Sequence, residues 1–262
     1  MLRSLMEKVA RGMVFRRRLP RSFGRRPFYV TPDSALSYLK PGYDSFSDLM
    51  TIAESCISDG DCVWDIGANV GVFGILAAHR AGESGRIVCV EPDPVLASLI
   101  QRSAQLAENS DRHIDVLCAA VADRSHIAEF AVAARGRSSN ALVASAGRTQ
   151  TGGVRYRQTV PVVTLDLMAE TLPAPNCVKI DVEGAEALVL AGGQQVLAEQ
   201  RPRLYVEVGP AQTTSVTEIL NSHGYRLFDG GRPVIDQTPL SKCVFNTLAI
   251  PAEQTQDERL AA

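Results

Sequence analysis

The sequence is notable first for what is missing. No apolar run approaches the ~20 residues that cross a bilayer, and the N-terminus has no continuous apolar stretch of the secretory kind. Six cysteines, at 56, 62, 89, 118, 177 and 243, form no C-x-x-C pair, which argues against a zinc site or a disulfide framework. Cys62, Cys89, Cys118 and Cys177 fall in or beside expected buried strands, where a free thiol acts as a small apolar group, so a reducing cytoplasmic setting is expected. There are only four histidines, and none is expected at a strand's C-terminal end, so the commonest general base is absent from the place where α/β ligands bind. There is no internal repeat. The G-x-G-x-x-G dinucleotide fingerprint is also missing.

What is present is 262 residues, 45% hydrophobic, enough for one large core. The net charge of −2 conceals an asymmetry. Residues 1–26 carry nine Lys/Arg against Glu7 alone, leaving 18 basic and 28 acidic residues for the rest. A nucleic-acid enzyme would more often place its positive charge around the site. Leu2, Leu5, Met6, Val9 and Met13 recur at helical spacing among Arg3, Lys8 and Arg11, predicting a basic amphipathic helix. It reads as a reversible contact with an anionic membrane surface at the cytoplasmic side or a partner-docking arm, as a helix packed on the domain with solvated arginines, or as a mitochondrial transit peptide.

The organising stretch is Val63-Trp64-Asp65-Ile66-Gly67-Ala68-Asn69-Val70-Gly71-Val72-Phe73. A short apolar run from Cys62 to Ile66 predicts a strand buried on both faces, followed by a glycine turn and a helix from Val72. Asp65 at the strand end would repel a pyrophosphate and suits a cationic, phosphate-free ligand; S-adenosylmethionine meets that description. The next strand, Arg86 to Val90, leads into Glu91, about twenty residues past the turn, where a carboxylate accepts from ribose hydroxyls. Alternation of strands and helices predicts a doubly wound, mainly parallel sheet. Asp65, Glu91, Asp181 and Glu207 are expected at or near four strand ends, converging on one crevice.

The runs Asp65-Ile66-Gly67-Ala68-Asn69-Val70-Gly71, Val90-Glu91-Pro92 and Val178-Lys179-Ile180-Asp181-Val182-Glu183-Gly184-Ala185-Glu186 resemble the FkbM-type methyltransferases over roughly residues 38–250. The resemblance implies a Rossmann-like class I fold, with a seven-stranded, mainly parallel α/β sheet and a C-terminal antiparallel strand. It implies S-adenosylmethionine as donor and, for most of that family, O-methylation of sugars, glycolipids or natural products. Three regions follow: a basic N-terminal helical extension and connector (1–40), the methyltransferase domain (41–250) and a polar tail (251–262). Asp65, Gly67, Ala68, Asn69, Gly71, Glu91, Pro92 and Asp181 are the expected donor-binding residues. Asp181 and Glu183 are the expected proton acceptors, with Glu207 assisting and Lys179, on the same strand face as Asp181, orienting or neutralising it. The acids would also suit Mg²⁺, but carboxylates are too common for the spacing to be specific, and no metal is predicted.

The remaining elements read as helices over about 46–57 (capped by Asp44 or Ser45), 94–107 and 213–222, a third strand over 113–121, and an edge strand over 127–132. The Gly-, Ser- and Arg-rich stretch 133–157 reads either as a substrate loop whose arginines hold an anionic acceptor or as a solvated insertion. A methyltransferase acting on bases in nucleic acid would show Asn/Asp-Pro-Pro-aromatic after the fourth strand; Asp181-Val182-Glu183-Gly184 stands there instead. An adaptor that binds the donor without catalysis is the third reading, against which the intact motif residues weigh. The expected acceptor is therefore a small molecule or glycan, and no nucleic acid.

Overall fold

The computed structural model describes residues 12–134, 137, 140–142, 153–232, 234 and 237–255. Two short strands, β1 (Phe15–Arg18) and β2 (Pro27–Val30), pair antiparallel and are followed by helix α1 (Ser47–Cys56). The alternating unit then runs β3 (Cys62–Ile66), α2 (Val72–Ala81), β4 (Arg86–Val90), α3 (Pro94–Ala104) and β5 (His113–Leu117). An excursion follows: β6 (Ala120–Val121), β7 (His126–Ala133), β8 (Ala141–Leu142) and β9 (Val154–Val163). The chain returns through α4 (Leu165–Ala169), β10 (Cys177–Ile180), α5 (Glu186–Ala191), β11 (Arg203–Glu207), α6 (Thr213–Ser222), β12 (Tyr225–Asp229) and β13 (Asn246–Pro251).

The main sheet has seven strands in the order β12-β13-β11-β10-β3-β4-β5, with β13 antiparallel to both its neighbours. The order reverses at β3, which lies between β10 and β4, and ligands in open α/β sheets bind beyond the strand ends at such a point. The five residues of β3 are all buried, which is why the stretch reads as a continuous apolar run. Strand alternation sorts the core into two faces. Val63, Ile87, Cys89, Cys177 and Tyr205 pack with α1, α2 and α3 on one side, while Trp64, Ile66, Val88, Val178 and Leu204 pack with residues of α5 and α6 on the other.

Three expectations need correction. The third strand is not continuous: β5 ends at Leu117, and β6 belongs to a separate four-stranded sheet, β6-β9-β7-β8. The alternating run expected at an edge is β7, which is internal to that second sheet, with one face packed on Ala120, Val160 and Val162. Neither Asp44 nor Ser45 caps α1; Ser45 Oγ instead donates to the Ser37 carbonyl at 3.0 Å. The helix expected near the N-terminus lies outside the described residues as far as Arg11; Arg16-Arg17-Arg18, expected to follow it, form part of β1.

Within the expected N-terminal extension and connector, residues 15–30 pack as an integral part of the domain. Leu19, Phe23, Phe28 and Val30 lie in the main core. Arg26 is buried and grips Asp111 with two guanidinium nitrogens, at 2.7 and 2.9 Å, while Arg16 and Arg18 reach Glu108 at 2.6 and 2.8 Å. At the other end, Pro251 closes β13 and Thr255 is buried, so the polar tail begins later than expected. No described helix is long and apolar enough to cross a membrane.

Candidate active site

A cavity of about 330 Å³ lies beyond the C-terminal ends of β3, β4, β10 and β11, within the size range of small-ligand sites. Its floor on the β3–β4 side is the turn Gly67-Ala68-Asn69 with Glu91 and Pro92. Gly67 has φ +78°, and a Cβ there would stand 1.9 Å from the Asp181 carbonyl, so only glycine lets the ends of β3 and β10 meet this closely. Asn69, at φ +56°, turns its backbone N–H onto Glu91 Oε2 at 2.8 Å, while Asp93 N–H reaches Oε1 at 2.9 Å. These two donors fix the Glu91 carboxyl. Burial nonetheless pushes it up to about 8, against the opposing pull of those N–H groups.

On the β10–β11 side the wall is Lys179, Asp181, Glu183 and Glu207. Lys179 Nζ donates to Asp181 Oδ2 at 3.3 Å and lies 3.5 Å from Asp65 Oδ1. Burial alone would lower the Lys179 ammonium, but Asp181, Asp65 and Glu207 together raise it, so it stays charged. Glu207 is half-buried; burial, then repulsion from Asp181, pushes its carboxyl up to about 7. Glu183, at φ +55°, stands in a left-handed turn before α5 and lines the cavity; Glu186 is withdrawn and accepts from Gly184 N–H at 2.7 Å.

Of the expected donor residues, Gly67, Ala68, Asn69, Glu91, Pro92 and Asp181 line the cavity, and Asp65 and Gly71 do not. Asp65 is wholly buried, because strand parity turns it under α2, where Gly74 leaves room for it and for Cys89. Burial raises its carboxyl and Lys179 opposes that rise. The Lys179 ammonium faces it, with Nζ 3.5 Å from Oδ1. Gly71 has φ +78° and faces Ile100, so it serves the entry into α2. Glu91, Asp181 and Glu207 do meet at one crevice.

The described arginines of the stretch 133–157 pair within the protein. Arg137 Nε donates to Asp33 Oδ2 at 3.0 Å, and its Nη1 bonds Asp93, whose other oxygen caps α3 by accepting from Val95 N–H. Asn140 Nδ2 joins the same Asp93 oxygen at 3.0 Å. Arg155 goes to Asp33 and Arg157 to Glu129. Each described arginine of the stretch is thus paired with protein carboxylates, which fits the reading of a solvated insertion better than that of a loop holding an anionic acceptor; Arg135 and Arg148 lie outside the described residues. Sequence reasoning missed Tyr38, Asp44 and Asp48 as lining residues. They come from a connector and a helix start that carry no motif, and only the tertiary fold brings them in. Among the described residues, no group of three His, Cys, Asp or Glu side chains is arranged to hold a metal ion.

The model of the methyltransferase FkbM domain matches residues 65–227, well over half of the chain. The chain belongs to the FkbM methyltransferase family. Its fold resembles several solved methyltransferases. One is the FkbM methyltransferase of Methylobacillus flagellatus KT, with 18% identity over 74% of this chain and 44% of that one, at a TM-score of 0.47. Another is the precorrin-6y C5,15-methyltransferase of Geobacter metallireducens GS-15, with 14% identity over 78% and 87%, at 0.46. A third is an S-adenosylmethionine-dependent O-methyltransferase of Thermotoga maritima, with 12% identity over 86% and 74%, at 0.46. The chain spans less than half the length of the Methylobacillus protein. No residue's role is carried over from these structures. No curated protein matches the sequence.

The chain has residues that fit the family's donor, S-adenosylmethionine. The buried Glu91 carboxyl keeps lone pairs beyond the two that take Asn69 and Asp93 N–H, enough to accept from ribose hydroxyls. Gly67, Ala68 and Asn69 bring backbone to the cavity wall, and Pro92, Val121, Phe130 and Leu142 give an apolar flank for a base. S-adenosylmethionine supplies an electrophilic methyl on a sulfonium.

Proposed function

We propose that this FkbM methyltransferase methylates a hydroxyl of a small-molecule, sugar or glycolipid acceptor, with Glu207 and Asp181 receiving the proton. The observation carrying this is the placement of Glu207, a half-buried carboxyl on the cavity wall whose proton affinity lies near neutrality. A general base works best with its pKa near the working pH. Strands lie about 4.8 Å apart, so three steps from β4 to β11 put Glu207 roughly 14 Å across the sheet from Glu91, which leaves the donor between them. The acceptor hydroxyl stands at the β10–β11 end, where Asp181 and Glu183 accept from it and Lys179 holds Asp181 in place. Methyl transfer from a sulfonium needs alignment above all, and these fixed side chains on strand ends supply it.

A neutral acceptor is favoured over a phosphorylated one. Asp44, Asp48, Asp181, Glu183 and Glu207 line the cavity, and its two cations each already face two carboxylates. That charge balance also disfavours nucleic acid. The test is transfer of labelled methyl from S-adenosylmethionine to a panel of methyl glycosides and free hexoses, with RNA as the contrasting acceptor. Glu207→Gln should cut kcat/KM by ~10²-fold or more. Because the base form is needed, wild-type kcat/KM should fall as pH drops through about 7, and the variant should lose that limb. A variant with the wild-type profile would remove Glu207 from the proton path; labelling of RNA alone would overturn the acceptor class.

The peripheral membrane contact is carried forward in reduced form. Arg16, Arg17, Arg18 and Arg26 are engaged by the body, while Met13, Val14 and Phe15 are exposed. Truncation after residue 26 would strip Leu19 and Phe23 from the core, so the informative change removes residues 1–11. Sedimentation with anionic liposomes should drop several-fold on that removal, and an unchanged bound fraction would end the idea.

A further inference from the structure

The proton acceptors named above belong to the family-matched region, and Tyr38, from outside it, stands beside them. Tyr38 is half-buried and lines the cavity with Lys179, Asp181 and Glu207. We propose that Tyr38 is an acceptor-binding residue, its phenol donating a hydrogen bond to an acceptor oxygen beside the one methylated, and that Arg17 is the residue that positions it. The inference rests on the sugar-type acceptor proposed above and assigns a further contact in that same site.

Two observations carry it. The first is the pattern of hydrogen-bonding groups. Asp181, Glu183 and Glu207 are acceptors when ionised, and Lys179 is committed to Asp65 and Asp181. An alcohol gives its proton to a carboxylate and then needs nothing more from that wall. A neighbouring hydroxyl of a sugar can donate to these carboxylates, but its lone pairs, and those of the ring oxygen, find no donor among them. The Tyr38 hydroxyl is both donor and acceptor, and supplies what that wall lacks. Burial and the surrounding charges, Asp181 first among them, raise the phenol to about 12, so it keeps its proton across the working pH range. A site built to hydrogen-bond a substrate hydroxyl also discriminates against analogues that lack it.

The second observation is how Tyr38 is held. The segment around it is a short turn, Leu36–Leu39, with no strand or long helix to fix it. Arg17, on β1, supplies the support. Its guanidinium bonds the Tyr38 carbonyl through Nη1 and the Gly42 carbonyl through Nη2, the latter at 2.6 Å, and lies 4.9 Å over the Phe46 ring. Phe46 is wholly buried and its ring is 5.4 Å from that of Tyr38. The N-terminal hairpin therefore reaches the active site through one planar cation that grips two carbonyls and stacks on an aromatic ring. Lysine, a single point donor, cannot do all of this.

The experiment compares wild type, Tyr38→Phe, Arg17→Lys and Arg17→Ala in the labelled-methyl assay with the best methyl glycoside of the panel, alongside S-adenosylhomocysteine binding by calorimetry. Tyr38→Phe removes one oxygen and keeps the ring. It should raise the KM for the glycoside at least tenfold, change the homocysteine Kd less than twofold, and lose its deficit with a deoxy-glycoside lacking the contacted hydroxyl. Arg17→Ala should reproduce the KM defect, and Arg17→Lys should recover only part of it. Wild-type acceptor kinetics in Tyr38→Phe would overturn the inference while leaving the proposed function intact. A tenfold loss of homocysteine affinity would also overturn it, by moving Tyr38 to the donor side. A wild-type enzyme that binds the homocysteine but methylates no alcohol in the panel removes the acceptor reading, and this inference with it.

Discussion

Glu91→Ala is expected to weaken S-adenosylmethionine binding by ~100-fold or more. At pH 9, above the value of about 8 to which burial pushes it, the Glu91 carboxyl is ionised; hydrogen bonds to a charged group contribute about 1.5–3 kcal/mol each, so losing two from the ribose hydroxyls accounts for that factor at 1.4 kcal/mol per decade. The substitution does further damage. The Asn69 and Asp93 N–H groups lose their acceptor inside a buried turn, and Asn69 holds a left-handed conformation that the first of these bonds helps to fix. Glu91→Gln is the sharper variant. It keeps the shape, but its NH₂ must face one of the two backbone donors, so it should weaken binding about as much as alanine does. Calorimetry on the three proteins checks this, with melting temperature as the control for folding. Glutamine binding as tightly as wild type would mean that Glu91 only braces the turn.

The second large effect is on stability. Lys179→Met should cost about 3–5 kcal/mol, because the wholly buried Asp65 carboxylate is left without its cation. For a chain of this size that is a fall of roughly 10 °C in melting temperature. The deficit should depend on pH in a defined sense. Without Lys179, the Asp65 carboxyl in the folded state is raised further above its unfolded value of ~3.9. Folded protein then holds that proton more tightly than unfolded protein does. The variant is therefore least impaired near pH 4 and loses stability as pH rises toward neutrality. Lys179→Met combined with Asp65→Asn should recover most of the loss, since the neutral pair needs no compensating charge. Urea titrations of the two single variants and the double close the cycle. A double variant no more stable than Lys179→Met would show that Lys179 serves Asp181 and not Asp65.

Much of this was legible in the sequence. β3, from Cys62 to Ile66, α6, from Thr213 to Ser222, and the placement of Glu91, Asp181 and Glu207 at strand ends follow from apolar runs, glycines and the period of the pattern. Three features were not legible, each for a physical reason. The place of Asp65 at a strand end is visible in sequence, while the face it points to depends on where α2 packs. The run from His113 to Val121 reads as one strand, since nothing local marks the step from the main sheet to the second one after Leu117. Tyr38 and Arg17 lie 21 residues apart in segments without periodicity, and only the closing of the hairpin onto the 36–46 segment joins them.

The pairing of Lys179 with Asp65 has a further consequence, for how the chain finds its register. These two residues sit opposite each other on neighbouring parallel strands, yet β3 and β10 meet only after the whole excursion through the second sheet has been made. The strand β10 is short and apolar, and its flanks give it little to distinguish one alignment from the next. Slipping it by one position would turn the ammonium into the apolar face beside Trp64 and Ile66, and would set Val178 against a buried carboxylate. Both changes bury an unpaired charge. The ion pair thus acts as a key that admits a single alignment of the two central strands, and that alignment brings the Asp181 end of β10 beside Gly67. Until it engages, the N-terminal half of the sheet has nothing on which to assemble the acceptor side of the crevice, so active-site assembly is expected to be a late event in the maturation of the chain.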